Sequence, residues 1–351
     1  MTKTAIVLFN LGGPDKPESI RPFLKNFFMD KNIVQAPYLV RAMISSLIAR
    51  RRSKKEAGSA YGFLGGRSPL LDNTRAQADA LEKTLREQHP ETQWKTFIAM
   101  RYWHPMSDEI ARSVMKWQPD RIVLLPLYPQ FSTTTTGSSL QDWRRASRKT
   151  GLSAPTSTIC CYPLDEKFIS ASARHVRECY DRMLRDNPVR KPRILFSAHG
   201  LPEKIIAQGD PYQWQCEESA NSIAAATGIE NLDWTICYQS RVGPLKWIGP
   251  STDESIRQAG RDGVPVVIYP HAFVSDHVET LVEIDMEYAH LAKESGVPAF
   301  ARAPALGTDP EFIQGLAALV YEGMRGDRRC PTDFSCCCKD YAASIFSNPR
   351  I

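Results

Sequence analysis

The stretch Arg193-Ile-Leu-Phe-Ser-Ala-His-Gly-Leu-Pro202 carries the reading of the fold. Its run of apolar residues shows no polar/apolar alternation, the pattern of a strand buried on both faces of a parallel sheet. It ends in His199-Gly200, where the chain is free to turn. Runs of the same kind recur at residues 5–9, 96–100, 121–125, 234–237, 264–269 and 299–302. Segments of helical periodicity separate them, among them 74–88, 165–184 and 276–294. Strand and helix in alternation predict an α/β protein with doubly wound parallel sheets.

An internal echo points to two similar halves. Leu125-Pro-Leu-Tyr-Pro-Gln-Phe-Ser132 and Val267-Ile-Tyr-Pro-His-Ala-Phe-Val-Ser275 both place Tyr-Pro at a strand end with a Ser a few residues on. A length of 351 residues suits two domains. The expected division is a first domain over 1–150, a second over 151–309, a helix at 310–325 that packs back on the first, and a Cys-rich tail over 326–351.

Composition excludes several classes. With 42% hydrophobic and 24% charged residues the chain is an ordinary globular one, not a disordered one. No apolar run approaches the ~18–20 residues that span a bilayer, and the first, at 5–9, is too short for a signal-peptide core. The expected location is the cytoplasm. The net charge is +5, and Arg50, Arg51, Arg52, Lys54 and Lys55 alone carry five positive charges around Ser53. One local basic patch on an otherwise balanced chain is unlike a nucleic-acid binder.

In open α/β sheets ligands bind beyond the carboxyl ends of the strands. No GxGxxG fingerprint or Walker A loop stands there, which argues against a nucleotide cofactor. The most informative segment is Asp276-His-Val-Glu-Thr-Leu-Val-Glu-Ile-Asp-Met-Glu287. On a helix, Asp276, Glu279, Glu283 and Glu287 share a face within about 80°, and apolar residues cover most of the rest. The plain reading is a capping box at Asp276-x-x-Glu279 above a solvated acidic face. Against it stand His277 among the acids and the absence of Lys or Arg within the segment, so repulsion at i, i+4 is tolerated. His199, at a central strand end, is the second feature. A His with carboxylates suits a divalent first-row metal such as Fe²⁺, with Zn²⁺ or Mn²⁺ as alternatives. The loop 239–250 carries Trp247 between Gly-Pro pairs, as a rigid turn or as the wall of a cavity for a flat ligand.

Six motifs, in order along the chain, resemble ferrochelatase of the bacterial type: Leu8-Phe-Asn-Leu-Gly-Gly-Pro-Asp15, Ser197-Ala-His-Gly-Leu-Pro202, Gly209-Asp-Pro-Tyr212, Gln239-Ser-Arg-Val-Gly-Pro244, Trp247-Ile-Gly-Pro-Ser-Thr-Asp-Glu254 and Phe273-Val-Ser-Asp-His-Val-Glu-Thr-Leu281. The resemblance spans about residues 4–325. It implies two Rossmann-like domains with a cleft between them and a lyase that inserts Fe²⁺ into protoporphyrin IX, the last step of haem synthesis. It implies His199 and Glu279 as metal-binding and proton-accepting residues, with His277 and Asp276 beside them. Glu283 and Glu287 would continue an acidic path along a helix widened to π-type. Leu11, Tyr61, Arg101, Tyr102, Trp247 and Phe273 would contact the porphyrin, Leu11 replacing the Met of some members. Beyond Fe²⁺ as substrate the chemistry needs no cofactor. A chelatase for coproporphyrin III and a non-catalytic haem or metal carrier are the alternatives.

Two further expectations follow. Leu39, Val40, Met43, Ile44, Leu47 and Ile48 lie on one side of a helix that runs into the basic patch. It is either a packed helix with a solvated end or a peripheral contact with the inner face of a membrane, over residues 39–55. Cys330, Cys336, Cys337 and Cys338 provide the four thiolates of a [2Fe–2S] cluster, as some ferrochelatases carry near the C-terminus. Their spacing departs from the C-x2-C-x4-C of those members.

Overall fold

The computed structural model describes residues 1–58, 60–241 and 243–325, so the expected Cys-rich tail and its four cysteines lie outside the described residues. The chain forms two compact units, one of residues 1–162 with the segment from Leu316 onward, the other Pro163–Gly315.

The first unit is built on four parallel strands, β1 (Thr2–Asn10), β2 (Thr92–Met100), β3 (Arg121–Pro126) and β4 (Thr156–Thr158), in the order β2-β1-β3-β4. The second has β5 (Arg193–His199), β6 (Trp234–Gln239), β7 (Val266–Tyr269) and β8 (Phe300–Arg302), in the order β6-β5-β7-β8. The order is the same in both units, which is the structural counterpart of the echo: the two Tyr-Pro segments leave β3 and β7, strands of equivalent position. Each is then followed by a π-helix, Thr133–Gly137 in the first unit and Glu279–Tyr288 in the second.

The central strands are buried along their length because every residue packs on a helix layer. Ala5, Val7 and Phe9 of β1 meet Leu140 and Trp143 of the helix Ser138–Thr150. In the second unit Leu195, Val266 and Ile268 pack with Ile256, Ile284 and Tyr288. β4 is the strand that sequence periodicity misses. Its Thr-Ser-Thr has no apolar run, yet it pairs in register with Ile122–Leu124 of β3. For that reason the first unit extends past residue 150 to Tyr162. The last helix, Pro310–Arg325, is divided as well: Phe312 lies against Phe168 in the second unit (6.4 Å between ring centres), while the part from Leu316 belongs to the first. There Met324 accepts a hydrogen bond from Arg121 at its carbonyl (2.8 Å).

Candidate active site

In the second unit the chain leaves β5 toward β6 on one side and β7 toward β8 on the other, so β5 and β7 flank the switch point where such sheets bind ligands. His199 is the last residue of β5. Glu279 opens the π-helix after β7. Their side chains meet, His199 Nδ1 to Glu279 Oε2 at 3.2 Å, and both are half-buried. The same carboxylate oxygen lies 3.4 Å from His277 Nε2, and His277 Nδ1 lies 3.1 Å from the Ser275 carbonyl. That carbonyl can only accept, so His277 keeps a proton on Nδ1. Phe273 stands edge-on to the His277 ring at 4.7 Å.

Beside His199 on β5, Ala198 packs in a buried apolar cluster with Leu201, Ile205, Tyr212, Cys216, Tyr238 and Ile248. Gly200 is required by close approach: a Cβ there would stand 3.0 Å from the Gln239 carbonyl and 3.3 Å from the Trp247 ring. The Trp247 loop therefore lies directly against the strand end that carries His199. It is held by an antiparallel bridge to Pro202. The Trp247 indole nitrogen is buried and has no hydrogen-bond acceptor among the described residues.

Electrostatics set the protonation states. Burial draws the His199 imidazole down, but the Glu279 charge, the hydrogen bond to it and the Glu283 charge outweigh burial and leave its pKa above the ordinary 6.5. Burial pushes the Glu279 carboxyl up, while His199 and His277 pull it further down, so it stays ionised. Glu283 is raised, first by burial and then by the Glu279 charge. The neighbouring carboxylates thus titrate apart, as acid/base work requires.

The acidic stripe is only partly brought to this centre. Glu283 lies behind Glu279 and accepts four hydrogen bonds, from Gln239 Nε2 (3.1 Å), Ser240 N (2.8 Å), Ser240 Oγ (2.6 Å) and Tyr288 OH (2.9 Å). Glu287 is exposed at the outer end of the π-helix. Asp276 is drawn away: Arg302 of β8 bonds it at 2.8 Å and grips Asp285 with its other nitrogens at 2.7 and 2.9 Å. At the entry to the helix the His277 backbone N–H donates to Thr280 Oγ1 (3.0 Å). The cation missing from the segment comes from β8, which is distant in sequence.

In the first unit the expected porphyrin residues form a second polar cluster around Asp30, a buried carboxylate that sequence reading passed over. Asp30 accepts from Arg101 (2.9 Å), from the Tyr102 hydroxyl (2.8 Å) and from Ser138. Arg101 also donates to Ser138 (2.6 Å) and lies 4.8 Å over the Tyr102 ring. Tyr102 is 0% exposed. Its hydroxyl is bound inward to Asp30, and its ring braces Arg101. Tyr61 is buried as well. Leu11 is half-buried, and its carbonyl accepts from Tyr102 N (3.0 Å), which ties the end of β1 to the end of β2.

The ferrochelatase family model matches residues 3–324. The chain belongs to the ferrochelatase family. Ferrochelatases of Caulobacter vibrioides and Pelagibacter ubique are 51% and 44% identical to it, each alignment covering 97% of this chain and 99% of the relative. That of Phenylobacterium zucineum is 52% identical over 315 residues, 90% of each chain. Among solved structures, SirB of Bacillus subtilis with Fe³⁺ superposes with a TM-score of 0.53 at 11% identity, covering 92% of this chain and 96% of SirB. At that identity the likeness is one of fold. The protein is thus a metal chelatase of haem synthesis, which inserts iron into porphyrin.

Proposed function

We propose that His199 and Glu279 are where ferrous iron replaces the two pyrrole protons of protoporphyrin IX. The observation that carries this is the 3.2 Å pair between His199 Nδ1 and Glu279 Oε2 at the sheet's switch point. A carboxylate held at Nδ1 keeps the proton on that nitrogen and leaves the Nε2 lone pair for substrate. Metal insertion must release two protons per ring, and a neutral imidazole with a raised pKa is a competent acceptor for the first. Glu279, ionised between two imidazoles, attracts the cation and stabilises the imidazolium once His199 has taken a proton. Glu283 and Glu287 lead from it toward solvent for protons or metal.

Trp247 and Phe273 flank this pair and suit the faces and edge of a macrocycle, and the resemblance adds Leu11, Tyr61 and Arg101 as porphyrin residues. Membrane contact is part of the same reading. On the helix Tyr38–Gly58, Leu39, Met43 and Leu47 are 80, 67 and 56% exposed, with Tyr38 and Val40 beside them and Arg50 and Arg51 exposed further on. A row of unpacked apolar side chains next to cations is the composition of a peripheral contact with anionic lipid. The terminal cysteines are assigned to a [2Fe–2S] cluster on composition alone.

The test is anaerobic haem formation from Fe²⁺ and protoporphyrin IX, with coproporphyrin III in parallel. The expected result is turnover of protoporphyrin that His199→Ala abolishes while porphyrin still binds. Porphyrin binding without turnover of either substrate by the unaltered chain would establish the carrier instead.

A further inference from the structure

We propose that Gln239 and Ser240, at the carboxyl end of β6, are positioning residues for iron insertion, which act by holding the Glu283 carboxylate in place behind Glu279. The inference deepens the reading of the His199–Glu279 site and rests on Glu283 being part of it.

Three of the four donors to Glu283 come from these two consecutive residues and not from the helix that bears the carboxylate. Each carboxylate oxygen takes two of the bonds. Ser240 N and Tyr288 OH share Oε1, and Ser240 Oγ and Gln239 Nε2 share Oε2. The backbone at Ser240 is in the left-handed region, with φ at +62°. A side chain other than Gly is strained there. In this conformation the backbone N–H and the hydroxyl of one residue both reach the same carboxylate. Glycine would relieve the strain and lose the hydroxyl, so the residue present favours the hydrogen bond over backbone ease.

Gln239 is oriented in turn. It pairs in register with His199 across β5 and β6 and is 1% exposed. Its Oε1 accepts from Ser197 Oγ (2.8 Å), which directs the Nε2 donor to the other side. There Nε2 bonds both the Glu279 backbone carbonyl and Glu283 Oε2, each at 3.1 Å. One buried amide thus ties the strand that pairs with the His199 strand to the first turn of the π-helix and to its second acid. A carboxylate gripped at both oxygens by donors on a strand end is held at a set distance from Glu279.

The experiment compares Ser240→Ala, Ser240→Gly, Gln239→Glu and Glu283→Gln in the full chain. It measures kcat for iron insertion, porphyrin Kd by fluorescence quenching, and Tm. The expected result is a kcat about tenfold lower in the two Ser240 variants, the scale of one hydrogen bond to a charged group, with porphyrin Kd within twofold. Ser240→Gly should keep or raise Tm, so that its lost turnover is not lost folding. Gln239→Glu, which sets a carboxylate against Glu283, should lower kcat further. Unchanged kcat in both Ser240 variants, with kcat lost in Glu283→Gln, would overturn the positioning role alone. Full kcat in Glu283→Gln would overturn the place of Glu283 in the site, and the proposal with it.

Discussion

Glu279 shares one carboxylate oxygen between two imidazoles, and the consequence is a pH dependence whose sign is fixed. The His199 pKa lies above 6.5 in the folded protein. Its pairing therefore contributes to stability in full below the unfolded histidine value and is lost as pH rises through the folded one. Glu279 is depressed, so its own contribution is present above the ordinary carboxyl range and is lost as pH falls toward its folded value. For catalysis the first of these matters, because a protonated His199 cannot accept a pyrrole proton. In the metal-free protein, NMR titration should find His199 above 6.5, and Glu279→Gln should move it down. An unmoved or rising value in the variant would show that Glu279 does not hold the proton on His199. Asp276 behaves otherwise at the same scale. It shares the sequence segment and the charge of Glu279, but it is ion-paired with Arg302.

Among the elements, the π-helix Glu279–Tyr288 decides what the acidic residues can do. Its widened turns are the kind that mark functional sites, and they keep Glu279 and Glu283 toward the β5–β6 strand ends while Asp285 turns to Arg302. The helix Tyr38–Gly58 raises a different question, since Leu39, Met43 and Leu47 are exposed while Ile44 and Ile48 are half-buried. Replacing Leu39, Met43 and Leu47 together by Ser should abolish sedimentation with vesicles containing anionic phospholipid. Exposed positions of this kind usually change stability by no more than about 0.5 kcal/mol each, so the variant should remain folded. Neutralising Arg50–Arg52 should weaken binding and flatten its salt dependence. Vesicle binding unchanged in both variants would remove the membrane from the account; among the described residues no helix is long and apolar enough to cross one.

For the molecule as a whole, the last helix is the element that the division into units cuts. Leu316, Ala317, Leu319 and Val320 are all buried in the first unit, though they follow the whole of the second in sequence. At about 1.5–3 kcal/mol for each large apolar side chain, three such residues outweigh much of the 5–15 kcal/mol that holds a domain together. A chain ending at Gly315 should therefore lose its cooperative unfolding transition by circular dichroism. A chain ending at Arg325 should keep that transition and its haem synthesis assay can then be compared with the full chain. Visible absorption and acid-labile sulfide, measured anaerobically in both, should be present only in the full chain if the terminal cysteines bind a cluster. A cooperative transition in the shorter chain would show that this helix is not needed for the first unit.

How much of this was legible beforehand follows from how far each signal travels along the chain. The seven apolar strands and the doubling could be read locally, because a strand buried on both faces must be apolar, and His199 and Glu279 stood out as candidates because a strand end in an α/β sheet faces the ligand side. The motifs did the same for the family. β4 could not be read, since three hydroxyl residues at a sheet edge carry no periodicity and become a strand only through β3. Nor could the roles of Asp30, Gln239, Ser240 and Arg302, whose partners stand tens of residues away. Polar residues leave no periodic trace of their partners, so their meaning arises only when the fold brings donor and acceptor within about 3 Å. Sequence by itself determined the apolar strands and the family, and it marked His199 and Glu279 as candidates. Tertiary structure alone decided which acids face that pair, which are bound away from it, and that Tyr102 braces a cation from within the core.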